Sequence, residues 1–294
     1  MATPCVERVR EAMMRRLIVF AVLCCGLYTA QVQSQTNLDK TKWTAVDGGW
    51  IDEPNHDLIC NLPGNVSAAG GILTLTAKSV PSGVSCRGGV DYGPAKRYFT
   101  GGTIYTTSFN FKYGKISARI KSAGYGVHSG LLWMMGSGCQ SIMYKHSYWC
   151  NHTWPNPNNE IDIAEIKPAF EPSLTVVSQN LFNADGWQVG FGKTTNVQTN
   201  WHVYTLIWTP NSLKFQIDGV TTTKMTKGVP SREMFPIISE EVEIEKDGRG
   251  APDPSTFPQT IKVDYVRVWD TKGKMIFDDE FDDLERNKYR NKGH

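Results

Sequence analysis

Residues 159–166 place three carboxylates among β-branched apolar residues, in the order Asn-Glu-Ile-Asp-Ile-Ala-Glu-Ile. Side chains alternate between the two faces of a β-strand, so Glu160 and Asp162 would lie on one face and the intervening isoleucines on the other, facing a core. Strict alternation would put Glu165 in that core, where an unpaired carboxylate is costly. The segment therefore predicts a strand with a β-bulge near Ala164, which returns Glu165 to the acidic face.

Three neighbouring carboxyl groups on one face have a chemical consequence. Like charges disfavour the ionisation of one another and push the pKa values of the groups apart. Carboxyls with separated pKa values can act as an acid and a nucleophile. The alternative is a solvated edge strand with scattered acids, but glutamate is uncommon in strands and the opposite face here is strongly apolar. The pattern favours a catalytic strand.

The first residues of the chain have the composition of an export signal. Two arginines precede an apolar run over residues 17–30, which is long enough for a signal peptide and too short to span a bilayer comfortably. We expect residues 1–34 to be a signal peptide and the mature protein to be secreted, either extracellular or periplasmic, with no membrane partner. Residues 35–283 would form one domain and residues 284–294 a polar tail.

The charge of the chain is close to balanced, with a formal net charge of +2 over 294 residues. Proteins that bind nucleic acids or anionic membranes usually carry a marked positive charge. We therefore expect no nucleic-acid partner, and we expect the protein to be a monomer.

Four cysteines lie beyond the predicted signal peptide, namely Cys60, Cys86, Cys139 and Cys150. An even number in an exported protein predicts two disulfides, which allow three connectivities. Proximity in sequence favours Cys60–Cys86 and Cys139–Cys150. A zinc site in which the second pair joins two nearby histidines is the alternative, but its spacing fits no common zinc pattern.

Short alternating segments separated by turn residues fill the rest of the chain, without a helical period. These segments cover residues 72–77, 115–121, 203–208, 213–217 and 261–269. The dipeptide Asp218-Gly219 predicts a tight hairpin, because glycine adopts the positive φ that the turn needs. Repeated strands at this spacing predict an all-β sandwich.

Tryptophan and tyrosine are abundant, with 9 and 11 copies. Flat aromatic rings bind the apolar C–H faces of sugars, while amides and carboxylates bind the hydroxyls. Most tryptophans of a sandwich lie in its core, and we assign Trp208 and Trp269 there. The substrate-binding candidates lie near the acidic strand or on segments that would pair with it, and they are Trp133, Trp149, Trp154 and Trp187.

Two carboxyls beside an aromatic groove meet the requirements of glycoside hydrolysis. One carboxylate attacks or stabilises the anomeric carbon, and the other, protonated carboxyl donates its proton to the leaving oxygen. With the bulge, Glu160 and Glu165 would stand roughly 5–6 Å apart, the separation expected of a retaining mechanism.

The segment from Glu160 to Glu165 resembles the bulged E-x-D-x-x-E signature of glycoside hydrolase family 16. Other segments resemble that family in its own order, and the similarity covers roughly residues 40–270. They are a Y-G-x-x-x-A-R-x-K strand at 113–121, an apolar strand ending in tryptophan at 130–134, an H-x-Y-x-x-x-W hairpin at 201–219 and a closing strand at 263–269.

The resemblance implies a fold and a set of roles. The fold would be a β-jelly-roll sandwich of two curved antiparallel sheets, concanavalin A-like, and residues 35–283 would be the catalytic domain. Glu160 would be the nucleophile and Glu165 the general acid/base, with Asp162 between them. No cofactor would be required for catalysis, although the family often holds a structural calcium through an aspartate at the position of Asp264.

The chain departs from the family pattern beside the catalytic strand. Asn180 stands where a histidine often follows that strand, and we expect it to bind substrate. Ser129 replaces a tryptophan that many glucan-cleaving members carry. The alternating Glu241, Glu243 and Glu245 are interpreted as one solvated strand face.

These observations predict a secreted retaining endo-glycosidase that hydrolyses internal β-linkages of a polysaccharide. A β-1,3- or β-1,3-1,4-glucan is the favoured substrate. The alternatives are a transglycosylase or a galactan hydrolase for agar or carrageenan with the same residues, or a lectin-like protein that only binds carbohydrate. The retained carboxylates argue against the lectin, because a non-catalytic member would be expected to lose one of its glutamates.

Overall fold

A computed structural model describes residues 37–49, 58–87, 95–124, 126–140, 159–167, 173–183, 186–242 and 252–282. The predicted signal peptide and polar tail lie outside these residues, as do Trp149, Trp154 and Cys150. Within the described ranges, no helix is long and apolar enough to cross a membrane.

The secondary structure of the described residues consists mainly of β-strands. In chain order these are β1 (Trp43–Ala45), β2 (Gly48–Gly49), β3 (Ile59–Asn61), β4 (Val66–Ala69), β5 (Ile72–Cys86), β6 (Ala95–Gly101), β7 (Thr103–Thr106), β8 (Gly114–Lys121), β9 (His128–Gly136), β10 (Glu160–Ile166), β11 (Val176–Asn183), β12 (Gly186–Lys193), β13 (His202–Thr209), β14 (Ser212–Ile217), β15 (Val220–Met225), β16 (Met234–Glu241), β17 (Gln259–Trp269) and β18 (Met275–Asp279). Single 3-10 turns occur at Pro63–Asn65, Ser137–Cys139 and Pro254–Thr256.

The strands form two sheets. The first, here called the site sheet, has seven strands in the order β1-β7-β16-β9-β10-β11-β12. The second, here called the back sheet, has eleven strands. Nine follow the order β15-β14-β13-β8-β17-β5-β6-β3-β2, β18 pairs with β17 and β4 pairs with β5. Neighbouring strands are antiparallel, except that β3 runs parallel to β6. The predicted two-sheet sandwich is confirmed.

The core lies between the sheets and follows from the alternation of the strands. Tyr204, Leu206 and Trp208 point inward from β13, and Leu213 and Phe215 point inward from the neighbouring β14. Burying apolar surface of this kind contributes about 25 cal/mol per Å². The site sheet contributes the apolar residues of β9 and β10 to the same cluster. The core therefore fixes which face of each strand remains for chemistry.

Two local predictions are confirmed. Asp218 and Gly219 have φ angles of 51° and 81° in the turn between β14 and β15, a conformation that tight hairpins need. Cys60 and Cys86 form a disulfide. Cys139 is also disulfide-bonded, which excludes it as a zinc ligand. Its predicted partner lies outside the described residues.

The assignment of Trp269 to the core is wrong. Val266 and Val268 of β17 lie in the core, and Trp269 follows them on the opposite face of the strand. Its ring is half-buried there, with Lys115 Nζ 3.7 Å from the ring centroid. A cation over an aromatic face is a favourable surface contact. Trp208 is buried as predicted.

A buried carboxylate connects the two sheets. Glu240 of β16 accepts hydrogen bonds from the backbone N–H of Ile261 in the back sheet, at 3.2 Å, and from that of Gly102, at 3.3 Å. Burial raises the pKa of Glu240 to about 8, although these backbone donors and the charge of Lys78 act in the opposite direction. The folded protein therefore holds a proton on Glu240 that the unfolded chain loses near pH 4.5.

This difference predicts a pH-dependent contribution to stability. The folded pKa of Glu240 is raised, so its contribution is fully present below pH 4.5 and is lost as the pH rises towards about 8, at about 1.4 kcal/mol per pH unit. Glu240→Gln keeps the shape of the protonated form and cannot ionise. We expect the unfolding free energy of Glu240→Gln to improve relative to wild type between pH 5 and pH 8, measured by urea denaturation. The exposed Glu233→Gln serves as the control, and a Glu240→Gln curve parallel to wild type contradicts the assignment.

Candidate active site

Strand β10 carries the predicted bulge. Along β11, Asp162 pairs with Asn180 and Glu165 pairs with Ser178, so three steps on β10 face two steps on β11. The register with β9 also shifts on both sides of Ala164. One extra residue in β10 is therefore accommodated at the predicted position.

The bulge separates the strand into an apolar and an acidic face. The apolar residues lie in the core between the sheets, and they are Ile161, Ile163 and Ala164. Glu160, Asp162 and Glu165 lie on the opposite face, as predicted. Glu160 is half-buried, whereas Asp162 and Glu165 are buried.

Asn180 holds two of the carboxylates in place. Its Nδ2 donates to Asp162 Oδ2 at 3.0 Å and to Glu165 Oε2 at 2.7 Å, and its Oδ1 accepts from Ser178 Oγ at 3.0 Å. Both amide hydrogens are therefore used within the protein, and the side chain is fully buried. A contact of Asn180 with substrate stays a prediction. Asn180 positions the carboxylates.

Two cationic groups converge on Glu165. His128 Nε2 lies 2.6 Å from Glu165 Oε1, and Lys167 Nζ lies 3.1 Å from the same oxygen. On the other side of the imidazole, His128 Nδ1 lies 3.3 Å from Glu241 Oε2. His128 of β9 thus bridges carboxylates from β10 and β16, the two strands that flank β9. Glu241 contacts His128 instead of lying on a solvated face as expected, while Glu243 and Glu245 lie outside the described residues.

These contacts separate the pKa values of the carboxyls. Burial raises the pKa of Glu160 well above its usual range, and the charges of Asp162, Glu165 and Glu241 add to the effect. Burial and then the charge of Glu165 raise the pKa of Asp162 to about 8, against the hydrogen bond from Asn180. Burial acts in the same direction on Glu165, but the charges and hydrogen bonds of His128 and Lys167 outweigh it and lower its pKa. In the free site, Glu165 is the carboxyl most readily ionised.

Two of the four candidate tryptophans lie within the described residues, and their environments differ. Trp133 of β9 pairs with Asp162 across the strands, so it lies beside the carboxylates on the same face. It is only 6% exposed, and its Nε1 donates to Ser239 Oγ at 3.1 Å. Trp187 of β12 is 60% exposed. Trp133 forms part of the floor beneath the acidic face, and Trp187 presents its ring to solvent.

Comparison with protein families places this geometry in a known group. Residues 59–267 match the model of glycosyl hydrolases family 16. The chain belongs to this family. The match includes β10 with its three carboxylates and the strands on either side of it.

Three family members of known name resemble the chain. A keratan-sulfate endo-1,4-beta-galactosidase from Sphingobacterium multivorum is 23% identical over 83% of this chain and 54% of its own length. A glucan endo-1,3-beta-glucosidase A1 from Niallia circulans is 26% identical over 80% and 36%. A beta-glucanase from Rhodothermus marinus is 26% identical over 70% of each chain. The chain spans about half the length of the first relative and about a third of the second.

Solved structures share the fold. The catalytic domain of an endo-1,3-beta-glucanase from Thermotoga petrophila superimposes with a TM-score of 0.61 at 23% identity, over 79% of this chain and 92% of that domain. The protein LamAcat from Zobellia galactanivorans gives a TM-score of 0.62 at 20% identity, over 79% of this chain and 92% of its own length. These similarities confirm the β-jelly-roll sandwich.

The surroundings of Asp264 do not favour the calcium ligand that resemblance to the family implies. Its Oδ2 lies 2.8 Å from Arg119 Nη1, so a cationic side chain already neutralises the carboxylate. In the described part of the chain, no cluster of three or more histidine, cysteine, aspartate or glutamate side chains could hold a metal ion. Calcium binding to this family member stays an untested prediction.

The sequence analysis missed His128 and Lys167. His128 begins β9, a strand whose other members are buried, and Glu241 of β16 pairs with it. A polar residue at the start of an otherwise apolar strand is a signal that could have identified it. Lys167 directly follows the catalytic strand, where a cation facing three acids is expected to pair with one of them.

The contacts of Asn180 predict a measurable change in the titration of the site. Asn180→Ala removes the hydrogen bond that lowers the pKa of Asp162, so we expect that pKa to rise above about 8. Carboxyl ¹³C chemical shifts followed against pH measure the change.

Asn183→Ala is the matched control for this titration, because Asn183 Nδ2 donates to the carbonyl of Gly228 at 2.7 Å and touches no carboxylate of the site. If the pKa of Asp162 is unchanged in Asn180→Ala, the hydrogen bond from Asn180 does not stabilise the ionised form of Asp162.

Proposed function

We propose that the protein is a secreted, retaining endo-glycosidase that hydrolyses internal β-linkages of a polysaccharide. The bulge in β10 supports this proposal most directly, since it gathers three carboxyls of different pKa on one face. The named relatives are endo-acting hydrolases of β-linked polysaccharides, in agreement with it. The apolar run at residues 17–30 supports export.

The mechanism is a double displacement by two carboxyls. Glu160 attacks the anomeric carbon and forms a glycosyl ester, while Glu165 donates a proton to the oxygen of the departing sugar. Glu165, now ionised, then removes a proton from a water molecule. The resulting hydroxide attacks the anomeric carbon, which breaks the ester and releases Glu160 as a carboxylate. The configuration is inverted twice and is therefore retained.

Glu160 must be ionised for this attack, although its surroundings raise its pKa. Asp162 lies on the same face two residues away, and its pKa is raised to about 8. We assign one shared proton to this pair. When Asp162 carries the proton, its repulsion of Glu160 disappears and the pKa of Glu160 falls, although burial still acts against ionisation.

Glu165 must be protonated to act as the acid, although the free site favours its ionised form. His128 Nε2 stands 2.6 Å from its Oε1, so the two groups share a proton along one hydrogen bond. A glycan that fills the site excludes water and disfavours the separated charges of a histidinium and a carboxylate. The proton then passes to Glu165 and from there to the leaving oxygen.

The favoured substrate is a β-1,3- or β-1,3-1,4-glucan. Two named relatives act on glucans, and one of the solved structures described above is an endo-1,3-beta-glucanase. A galactan is the second candidate, because the keratan-sulfate relative is an endo-1,4-beta-galactosidase. Transfer to a second sugar instead of water would use the same carboxyls.

The first test is cleavage of a panel of polymers by the secreted protein, namely laminarin, lichenan, agarose, κ-carrageenan and keratan sulfate. We expect laminarin or lichenan to yield short oligosaccharides with retained β-configuration, measured by product sizing and by ¹H NMR during the first minutes. Glu160→Ala and Glu165→Ala should each reduce cleavage by several orders of magnitude, because each removes a group that the displacement requires. Full activity in either folded variant rules out the mechanism.

Azide distinguishes the two roles in these variants. With a dinitrophenyl β-glycoside of the cleaved oligosaccharide, azide in place of the missing nucleophile gives an α-glycosyl azide. In the variant that lacks the general acid/base, azide instead attacks the glycosyl-enzyme and gives a β-glycosyl azide. We expect the α-product from Glu160→Ala and the β-product from Glu165→Ala, and the opposite pairing would exchange the two roles.

His128→Gln tests the contact between His128 and Glu165 in the intact mechanism. His128 lowers the pKa of Glu165, so its removal raises that pKa. The acid limb of kcat/KM against pH reports the lower of the two essential pKa values in the free enzyme, and the alkaline limb reports the higher one. Glu165 has the lowered pKa and Glu160 the raised one, so we expect His128→Gln to move the acid limb to higher pH. An acid limb that stays in place contradicts the effect of His128 on Glu165.

Glu241→Gln should shift the same pH profile by a smaller amount than His128→Gln. Glu241 lies against Nδ1 of His128 and stabilises the charged imidazole, so its neutralisation weakens the effect of His128 on Glu165. A smaller shift in the same direction is expected. The control is His202→Gln, at a histidine that contacts Asp218 instead of the carboxylates of the site.

A further inference from the structure

Strand β12 has an inverted pattern of side chains. The side chains of Trp187, Val189 and Phe191 point to solvent and are 60%, 44% and 60% exposed. The opposite face of the strand carries Gly190 and Gly192 and packs on the back sheet. An ordinary strand of a sandwich would bury the large residues and expose the small ones.

The inward glycines have a structural explanation. A Cβ atom at position 190 would collide with the side chain of Thr223, and one at position 192 would collide with that of Ile217. The edge of the site sheet therefore approaches β14 and β15 too closely for larger residues. This close approach does not require the outward residues to be aromatic. Contiguous exposed apolar side chains of this kind usually mark a binding surface.

The strand register joins this exposed face to the carboxylates. Residues directly opposite each other on paired strands project from the same face. Three rows therefore cross β10, β11 and β12, and they are Glu160–Phe182–Trp187, Asp162–Asn180–Val189 and Glu165–Ser178–Phe191. Strands lie about 4.8 Å apart, which puts the backbone of β12 about 10 Å from that of β10.

Two of the aromatic side chains on this face stack on each other. The rings of Phe182 and Trp187 stack with their planes 6° apart and their centroids separated by 5.5 Å. Phe191 lies four residues further along β12, which is about 13 Å in an extended strand. The strip formed by Phe182, Trp187, Val189 and Phe191, here called the aromatic strip, contains no charged side chain. It matches the apolar C–H faces of sugar rings.

We propose that the aromatic strip binds sugars of the polysaccharide that lie beyond those at the cleavage point. The inference rests on the proposed function and adds the path of the substrate, which crosses from β10 over β11 to the edge of the site sheet. An extended glycan is the occupant because the strip is continuous with the carboxylate face and its rings match the apolar faces of sugars. Lys193, the next exposed residue on this face of β12, lies at the end of the strip beyond Phe191. An enzyme with such a strip favours long chains over short ones.

The test compares Trp187→Ala, Phe191→Ala and the double variant with wild type. The substrates are the polymer of the panel that wild type cleaves fastest and a tetrasaccharide of the same linkage. Loss of one aromatic contact should raise KM for the polymer by about tenfold, more than it lowers kcat. The effect on the tetrasaccharide should be smaller, because its four sugars can occupy sites next to the carboxylates without reaching the strip. Trp187→Phe should restore most of the affinity.

Tyr98→Ala is the matched control, because Tyr98 is an exposed aromatic on β6 of the back sheet. Thermal melting checks that each variant is folded. Unchanged polymer KM in both folded alanine variants overturns the proposal, as does an equal rise of KM for polymer and tetrasaccharide. Loss of a dimer in light scattering with unchanged KM would assign the strip to a second copy of the chain instead.

Affinity electrophoresis in gels that contain each polymer separates this inference from the proposed function. If wild type cleaves no polymer but is retarded by one, and Trp187→Ala abolishes the retardation, the strip binds glycan and the proposed hydrolysis is wrong. If wild type is neither active nor retarded, both proposals fail. If the variants of the aromatic strip cleave the polymer with a normal KM, the proposed hydrolase function stands and the proposed role of the strip is wrong.

Discussion

Between Asp162 and Glu165, β10 contains one residue more than the strand that pairs with it. The core between the sheets accepts only apolar side chains from this strand, because an unpaired carboxylate there would cost several kcal/mol. Without the extra residue, Glu165 would point into that core. The requirement for a dry core on one face thus determines that all three carboxyls gather on the other.

Gathering three carboxyls has its own cost, and the neighbouring strands offset it. Asn180 of β11 donates one hydrogen bond to Asp162 and one to Glu165. His128 of β9 and Lys167 make their direct ionic contacts with Glu165. The compensation is therefore unequal, and this inequality separates the pKa values of the carboxyls. Equal compensation would have produced a stable acidic cluster without distinct chemical roles.

Alternation and local strain were readable from the sequence, and contacts between distant segments were not. The bulge near Ala164 and the hairpin at Asp218 follow from the two-residue period of a strand and from turn geometry. His128 contacts both Glu165 and Glu241 only because β9 lies between β10 and β16, an order that no local pattern specifies. Trp269 was assigned to the core by residue type, although its position in the alternation of β17 puts it outside. Asn180 was placed correctly beside the catalytic strand, but its burial depends on packing.

Strands β10 and β12 break the usual polarity of a sandwich in different ways. One places carboxylates on a partly buried face, and the other places aromatic rings in solvent. Each departure works against folding, since the first concentrates like charges and the second leaves apolar surface exposed. Departures of this kind are expected at sites where function is favoured over stability. Because β11 connects the two strands residue by residue on the same face, the single extended glycan proposed above would satisfy both, with its apolar sugar faces on the rings and its glycosidic oxygen at the carboxyls.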